Sequence, residues 1–166
     1  MAAQIPETLR YDGETHVMCT NPLDAFLALS GQDPGFKTIS TSLWRGYLGQ
    51  WEITGKRLYL IGLRGRLVDG RPATIASLFP GYGERVFAHW FTGLLRLPQG
   101  RPLKLIHDGY DTPFERDLLL TVQRGKMVAR KLRINGHIPT LHSPWNKPAH
   151  TGPHPSDVRD LAGAAR

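Results

Sequence analysis

One cysteine, Cys19, stands in 166 residues, so no intrachain disulfide can form and a disulfide-stapled secreted scaffold is excluded. Long apolar runs are missing too. Arg, Gly or Pro breaks every apolar stretch within about ten residues, short of the ~20 that a membrane-spanning helix needs. The opening residues lack the basic start and apolar run of a signal peptide, and with the lone cysteine this predicts a soluble, cytoplasmic, non-membrane protein. Also absent are a phosphate-binding glycine loop before a helix, a dinucleotide fingerprint, a nucleophile elbow, paired zinc-ligand cysteines and an HExxH helix. Their absence lowers the standing of the common enzyme classes and predicts no cofactor and no metal centre.

What is present is glycine and proline, 18 and 13 residues, above average usage. That favours many short elements joined by turns. At 40% apolar residues the chain has enough Leu, Ile, Val, Phe and Trp for one core, and a domain of about 150 residues buries roughly 68–70% of its unfolded surface. The net charge is +7, unevenly placed. Residues 1–36 carry one Arg against five acids, while residues 37–133 carry seventeen Lys or Arg against seven acids. A basic middle segment attracts phosphate polymers or an acidic partner, or else it serves solubility alone.

Residues 1–20 read as an extended arm, with a turn at Tyr11-Asp12-Gly13-Glu14 and a short edge strand at His16–Cys19. Asn21, Pro22 and Asp24 form a helix start, with Leu23, Phe26 and Leu27 on one face and Gly31 as the stop. Trp44–Ile53 and Arg57–Leu63 read as a hairpin around Thr54-Gly55-Lys56. In that reading Arg45 leads the face carrying Tyr47, Trp51 and Ile53, and the second strand is central and covered on both sides. Ala73–Phe79 predicts a turn or two of helix, and Arg85–Phe91 a strand interrupted at Gly93. Leu94–Leu97 and Leu103–His107 read as partners across Pro98-Gln99-Gly100, then Phe114–Gln123 and Lys126–Ile134 across Arg124-Gly125. From 136 onward the residues turn Pro- and His-rich, which divides the chain into a β-rich domain, 1–135, and a tail, 136–166.

Several constellations are candidates for chemistry. His107-Asp108 with Asp111, Glu115 and Asp117 places a His beside carboxylates, as a general base or cation site would; the plainer reading is an acidic loop with a solvated strand face. Arg45 among Trp44, Tyr47 and Trp51 suits a carboxylate or phosphate, or else pairs with an internal acid such as Glu52 or Glu115. His89 reads as a packed core histidine. His137, His142, His150 and His154 lie on a segment too Pro-rich to preorganise a metal site. Arg124, Lys126, Arg130, Lys131 and Arg133 make a basic hairpin that suits nucleic acid or an acidic partner. Cys19 has only His16 near it and is not read as a catalytic thiol.

The segments Trp44-Arg45-Gly46-Tyr47, Trp51-Glu52-Ile53 and Leu58-Tyr59-Leu60 resemble those of a group of short bacterial proteins of unassigned function. So do Leu78-Phe79-Pro80-Gly81, Trp90-Phe91-Thr92-Gly93 and Glu115–Leu120. The resemblance covers about residues 5–135 and implies a self-contained core and no particular activity. The expectation is therefore a mainly β domain of roughly seven to nine strands, an antiparallel curled sheet or open barrel with one or two short helices. Three functions stay open. The first is a non-catalytic module binding an acidic protein partner, of accessory or immunity type. The second is a nucleic-acid binder using the basic hairpin, and the third a small enzyme with Arg45, His107 and Glu115 in one pocket. The partner's identity and the oligomeric state are left open.

Overall fold

A computed structural model of the chain describes residues 2–139. Three two-residue turns set the local pairing. Asp12-Gly13, Gly55-Lys56 and Arg124-Gly125 all have positive φ at both positions, the turn whose twist matches that of the strands it joins. They close the hairpins β1 (Glu7–Tyr11) with β2 (Glu14–Met18), β3 (Tyr47–Thr54) with β4 (Arg57–Gly65), and β7 (Phe114–Gln123) with β8 (Lys126–Ile134). Between them lie helix α1 (Pro22–Ser30), the two-residue strand β5 (Val86–Phe87) and β6 (Gly93–Pro102). Two short 3-10 turns cover Thr41–Leu43 and Ile75–Ser77.

The strands form one sheet in the order β2-β1-β3-β4-β8-β7-β6, with β5 also on β4. Every pair is antiparallel except β1 with β3. The sheet curls until its two edges approach. Cys19, just past β2, donates its N–H to the Arg96 carbonyl of β6 at 2.9 Å, and the Thr20 hydroxyl accepts from the Arg96 N–H at 3.0 Å. No strand ladder joins these edges, so the barrel stays open, as the composition led one to expect.

The join between β4 and β8 is narrow. Arg57 pairs with Lys126, the Leu58 N–H bonds to Gly125 and the Met127 N–H to Lys56. Beyond Met127, β8 runs past the tip of the β3–β4 hairpin. The inside of the curl is apolar: Leu9, Trp51, Leu58, Leu60, Leu95, Leu97, Leu120 and Val122 are fully buried. Helix α1 closes one end. Its Phe26 meets Phe79 and Trp90 at ring distances of 4.6 and 5.0 Å, and the Trp90 indole donates to the Pro22 carbonyl. Gly31 ends the helix in the left-handed conformation, φ 65°, its N–H capping Leu27.

Four sequence expectations are corrected. The first residues are no loose arm: β1 inserts beside β3 and buries Glu7 and Leu9. Trp44-Arg45-Gly46 form a turn ahead of β3, so Arg45 does not lead a strand face. Of Arg85–Phe91 only Val86–Phe87 pair, and His89 lies exposed in the following turn rather than in the core. Leu103–His107 form no strand. The turn expected at Pro98–Gly100 is absorbed as a register shift, β6 continues to Pro102, and its partner is β7. β4 is central as expected, although Tyr59 and Ile61 on its second face are half-buried rather than covered.

Candidate functional site

The sheet holds three buried carboxylates, Glu7, Asp117 and Glu115, each with its own partners, and one exposed basic strand. The first network starts at Glu7, which the alternation of β1 turns inward together with Leu9. Its carboxylate accepts from the Gly49 N–H, from Arg45 Nη2 at 3.0 Å and from the Trp51 indole at 3.3 Å. Gly49 is required by this close approach, since a Cβ there would lie 2.6 Å from the Glu7 carboxylate. Arg45 Nη2 also donates to the Ile5 carbonyl, and its guanidinium lies 5.4 Å from the Tyr47 ring centroid. Its Nε and Nη1 are buried with no hydrogen-bond partner among the described residues. Burial pushes the Glu7 carboxyl up, against the Arg45 charge and the Gly49 N–H. Burial likewise raises the Tyr47 phenol, which donates to Asp24.

Beside Arg45 lies a cavity of about 270 Å³ whose lining includes Asn21, Asp24, Trp44 and Asp108. With Glu7 behind Arg45, the acids around it outnumber the one cation, which opposes a bound anion.

The second network centres on Asp117, on the outer face of β7. Its carboxylate accepts from Arg96 Nε at 2.9 Å, Arg133 Nη2 at 2.6 Å and Asn135 Nδ2 at 2.8 Å. Burial acts to raise its pKa, but the donors from Arg133, Asn135 and Arg96 outweigh it and hold the carboxyl below its ordinary value. Arg96 also donates to the carbonyls of Tyr110 and Thr112, fixing the 103–113 loop over the sheet.

Glu115, two residues earlier on the same face, belongs to a separate group. It accepts from the Arg101 N–H at 2.8 Å and lies 3.2 Å from His137 Nδ1. The Arg101 N–H does most to hold its carboxyl down to about 2, against burial, with the Ile138 N–H and the Arg101 side chain assisting. A carboxyl depressed in the fold stabilises it fully above its unfolded pKa, near 4.5, and loses that contribution as pH falls through about 2. Glu115→Gln is therefore expected to be less stable than the parent at pH 6, with the difference closing between pH 4.5 and 2. Urea midpoints of both proteins across that range test it, and a difference constant with pH would refute it.

The structure thus separates the three residues of the enzyme reading. Arg45 pairs with Glu7 rather than with Glu52 or Glu115, Glu115 sits with Arg101 and His137, and His107 is exposed. No hydrogen bond or ion pair joins any two of them, and neither His107 nor Glu115 lines the cavity beside Arg45. Of Asp108, Asp111, Glu115 and Asp117, only Asp111 and Asp117 line one cavity, together with Arg96 and Arg133, and no group of three metal-ligating side chains occurs among the described residues. Burial raises the Cys19 thiol, the opposite of activation. His142, His150 and His154 lie outside the described residues.

The basic hairpin is where the sequence placed it. Arg124, Lys126, Arg130, Lys131 and Arg133 are all exposed, and β8 is exposed along its length except at Met127. Arg133 spends part of its charge on Asp117, and Arg130 lies 5.6 Å from the Tyr11 ring centroid, its Nη1 donating to the phenol oxygen. Val128, Leu132 and Ile134 are 55, 51 and 66% exposed. Sequence reasoning missed Glu7, whose signal was its alternation with Leu9 and Tyr11, and missed the joining of Arg96 to Asp117 across two strands. No protein-family model, curated protein or solved structure matches this chain.

Proposed function

We propose that this chain is a non-catalytic binding module that recognises an acidic protein partner through β8 and the turn before it. The observation that carries the reading is a strand of nine residues, exposed on both faces, with Lys126, Arg130, Lys131 and Arg133 and no acid. Such a row steers an acidic partner and selects against basic ones. The neighbouring exposed side chains are aliphatic. A binder of single-stranded nucleic acid sets aromatic rings beside its cations for bases to stack on, and the ring beside Arg130, Tyr11, is taken up by that guanidinium. The lone, half-buried cysteine suits a reducing compartment, and we place the encounter in the cytoplasm.

The test is a paired charge reversal, Arg130→Glu with Lys131→Glu, neither of which holds a buried partner. Binding of poly-L-glutamate and of single-stranded oligo(dT) is measured by fluorescence anisotropy as salt is raised. The expected result is that the parent binds polyglutamate, and that the variant, melting at the same temperature, binds about tenfold more weakly, roughly 1.4 kcal/mol. Tighter binding of oligo(dT) than of polyglutamate would favour the nucleic-acid reading instead.

A further inference from the structure

The edge of β8 has a backbone pattern that its charge does not explain. The Asn135 N–H bonds across to the Glu115 carbonyl at 2.9 Å. In the same register Arg133 faces Asp117, Lys131 faces Leu119 and Ala129 faces Thr121. In an antiparallel ladder the pairs that exchange both bonds alternate with pairs that exchange none. The backbone groups of Ala129, Lys131 and Arg133 therefore turn toward β7, and those of Arg130, Leu132 and Ile134 turn away from it. The strand on that side, β4, bonds β8 only as far as Met127. Three N–H and three C=O groups thus stand in a row, spaced about 6.8 Å apart, with no backbone partner among the described residues.

The side chains around this row define what fits against it. Arg130 and Leu132 sit opposite the buried Leu120 and Leu118, on the apolar side of the sheet, and Ile134 follows them. Leu132 and Ile134 are exposed because the sheet ends there. A further strand would cover them and extend the core by one layer. The other face offers Lys131 and the partly neutralised Arg133.

We infer that β8 takes an extended segment of an acidic protein partner as an added strand. The segment's backbone would meet Arg130, Leu132 and Ile134, with apolar side chains beside Leu132, Ile134 and the aliphatic stem of Arg130, and carboxylates beside Lys131 and Arg133 on the other face. This rests on the reading of β8 as the partner surface and adds the mode of recognition and the chemistry of the segment. A second copy of the chain is the wrong occupant, because pairing two β8 edges would set Arg130, Lys131 and Arg133 against the same three cations. Charge on an edge strand is a common guard against such self-pairing. The residues beyond 139 are also a poor match, with Lys147, Arg159 and Arg166 against Asp157 and Asp160.

The experiment is amide hydrogen exchange by NMR on the full chain, alone and with an acetylated peptide of about ten residues alternating Val and Glu. A control peptide has the same side chains and N-methyl groups on alternate amides. In the free protein the amides of Arg130, Leu132 and Ile134 are expected to exchange roughly a hundredfold faster than those of Ala129, Lys131 and Arg133. The peptide is expected to slow those three by about tenfold or more, and the N-methylated control to bind about tenfold more weakly. Equal binding of both peptides without protection would overturn strand addition and leave the acidic-partner reading standing. Slow exchange at the three amides in the free chain would show the edge already covered and overturn the inference. If neither peptide binds at about 1 mM, or oligo(dT) binds where they do not, the inference and the reading beneath it both fall.

Discussion

Glu7→Gln is expected to destabilise the fold by about 3–5 kcal/mol, the range for breaking a buried ion pair from one side. The Glu7 side chain is fully buried and that of Arg45 is 9% exposed. Arg45 cannot shed its proton, so the substitution leaves an uncompensated charge inside the protein. Two of its nitrogens already lack partners among the described residues, so the local structure has no spare acceptor to offer. The amide also replaces an oxygen by a donor. Glu7 now receives three donors, from Gly49, Arg45 and Trp51, and an NH₂ group facing any of them sets donor against donor. The cost falls on the junction of three segments, because Glu7 lies on β1, Gly49 and Trp51 on β3, and Arg45 in the turn before β3. Urea unfolding measures it, with the slope checked for constancy. The double variant with Arg45→Met is expected to recover part of the loss, since an apolar pair carries no stranded charge. A loss below about 1 kcal/mol would mean that Arg45 swings out to water and that the pair contributes no more than a surface one.

Asp117→Asn is expected to cost about 3 kcal/mol and to loosen the 103–113 loop, to which its carboxylate makes no hydrogen bond. Asp117 is 1% exposed and takes bonds from Arg96, Arg133 and Asn135 through its two oxygens. Asparagine keeps one acceptor oxygen, so either Arg96 or the pair on the other oxygen loses its bond. Arg133 is half-exposed and can turn to water. Arg96 is 20% exposed and also holds the carbonyls of Tyr110 and Thr112. The expected signature is a lower urea midpoint together with faster limited proteolysis between Leu103 and Pro113. Arg133→Ala serves as the control, losing less stability and leaving that loop protected. Equal proteolysis in Asp117→Asn and the parent would show that the loop is held by its own contacts, such as Thr112 with Ile106, and not through Asp117.

Much of the architecture was legible because it is local. Gly55-Lys56 and Arg124-Gly125 announce their hairpins by residue type, Asp12-Gly13 announced its turn but not the strand β1 before it, Asn21-Pro22 and Gly31 bracket the helix, and β7 and β8 lie on their expected residues. The basic row on β8 was legible for the same reason, since charge and alternation are properties of neighbours. Leu103–His107 looked like a strand because its alternation is adequate, but a strand also needs a free partner, and β7 had already taken β6. Arg45 looked like the head of a strand because Trp44 and Tyr47 flank it, yet Gly46 takes a positive φ and turns the chain there. The Arg45, His107 and Glu115 reading placed three chemically suitable residues together on type alone, without a spacing that binds them.

The sequence by itself determined the class of fold, the three tight two-residue turns, the absence of an intrachain disulfide and the position of the basic strand, because each follows from residue type within a few positions. Tertiary structure decided which acid serves which arginine. Glu7 reaches Arg45 across 38 residues and Asp117 reaches Arg96 across 21. It also decided that, among the described residues, no strand pairs β8 beyond Met127 on the side away from β7, which depends on where the β3–β4 hairpin ends beside it. A buried charge accepts whichever partner the curl of the sheet brings within about 3 Å, and distance along the chain does not record that curl.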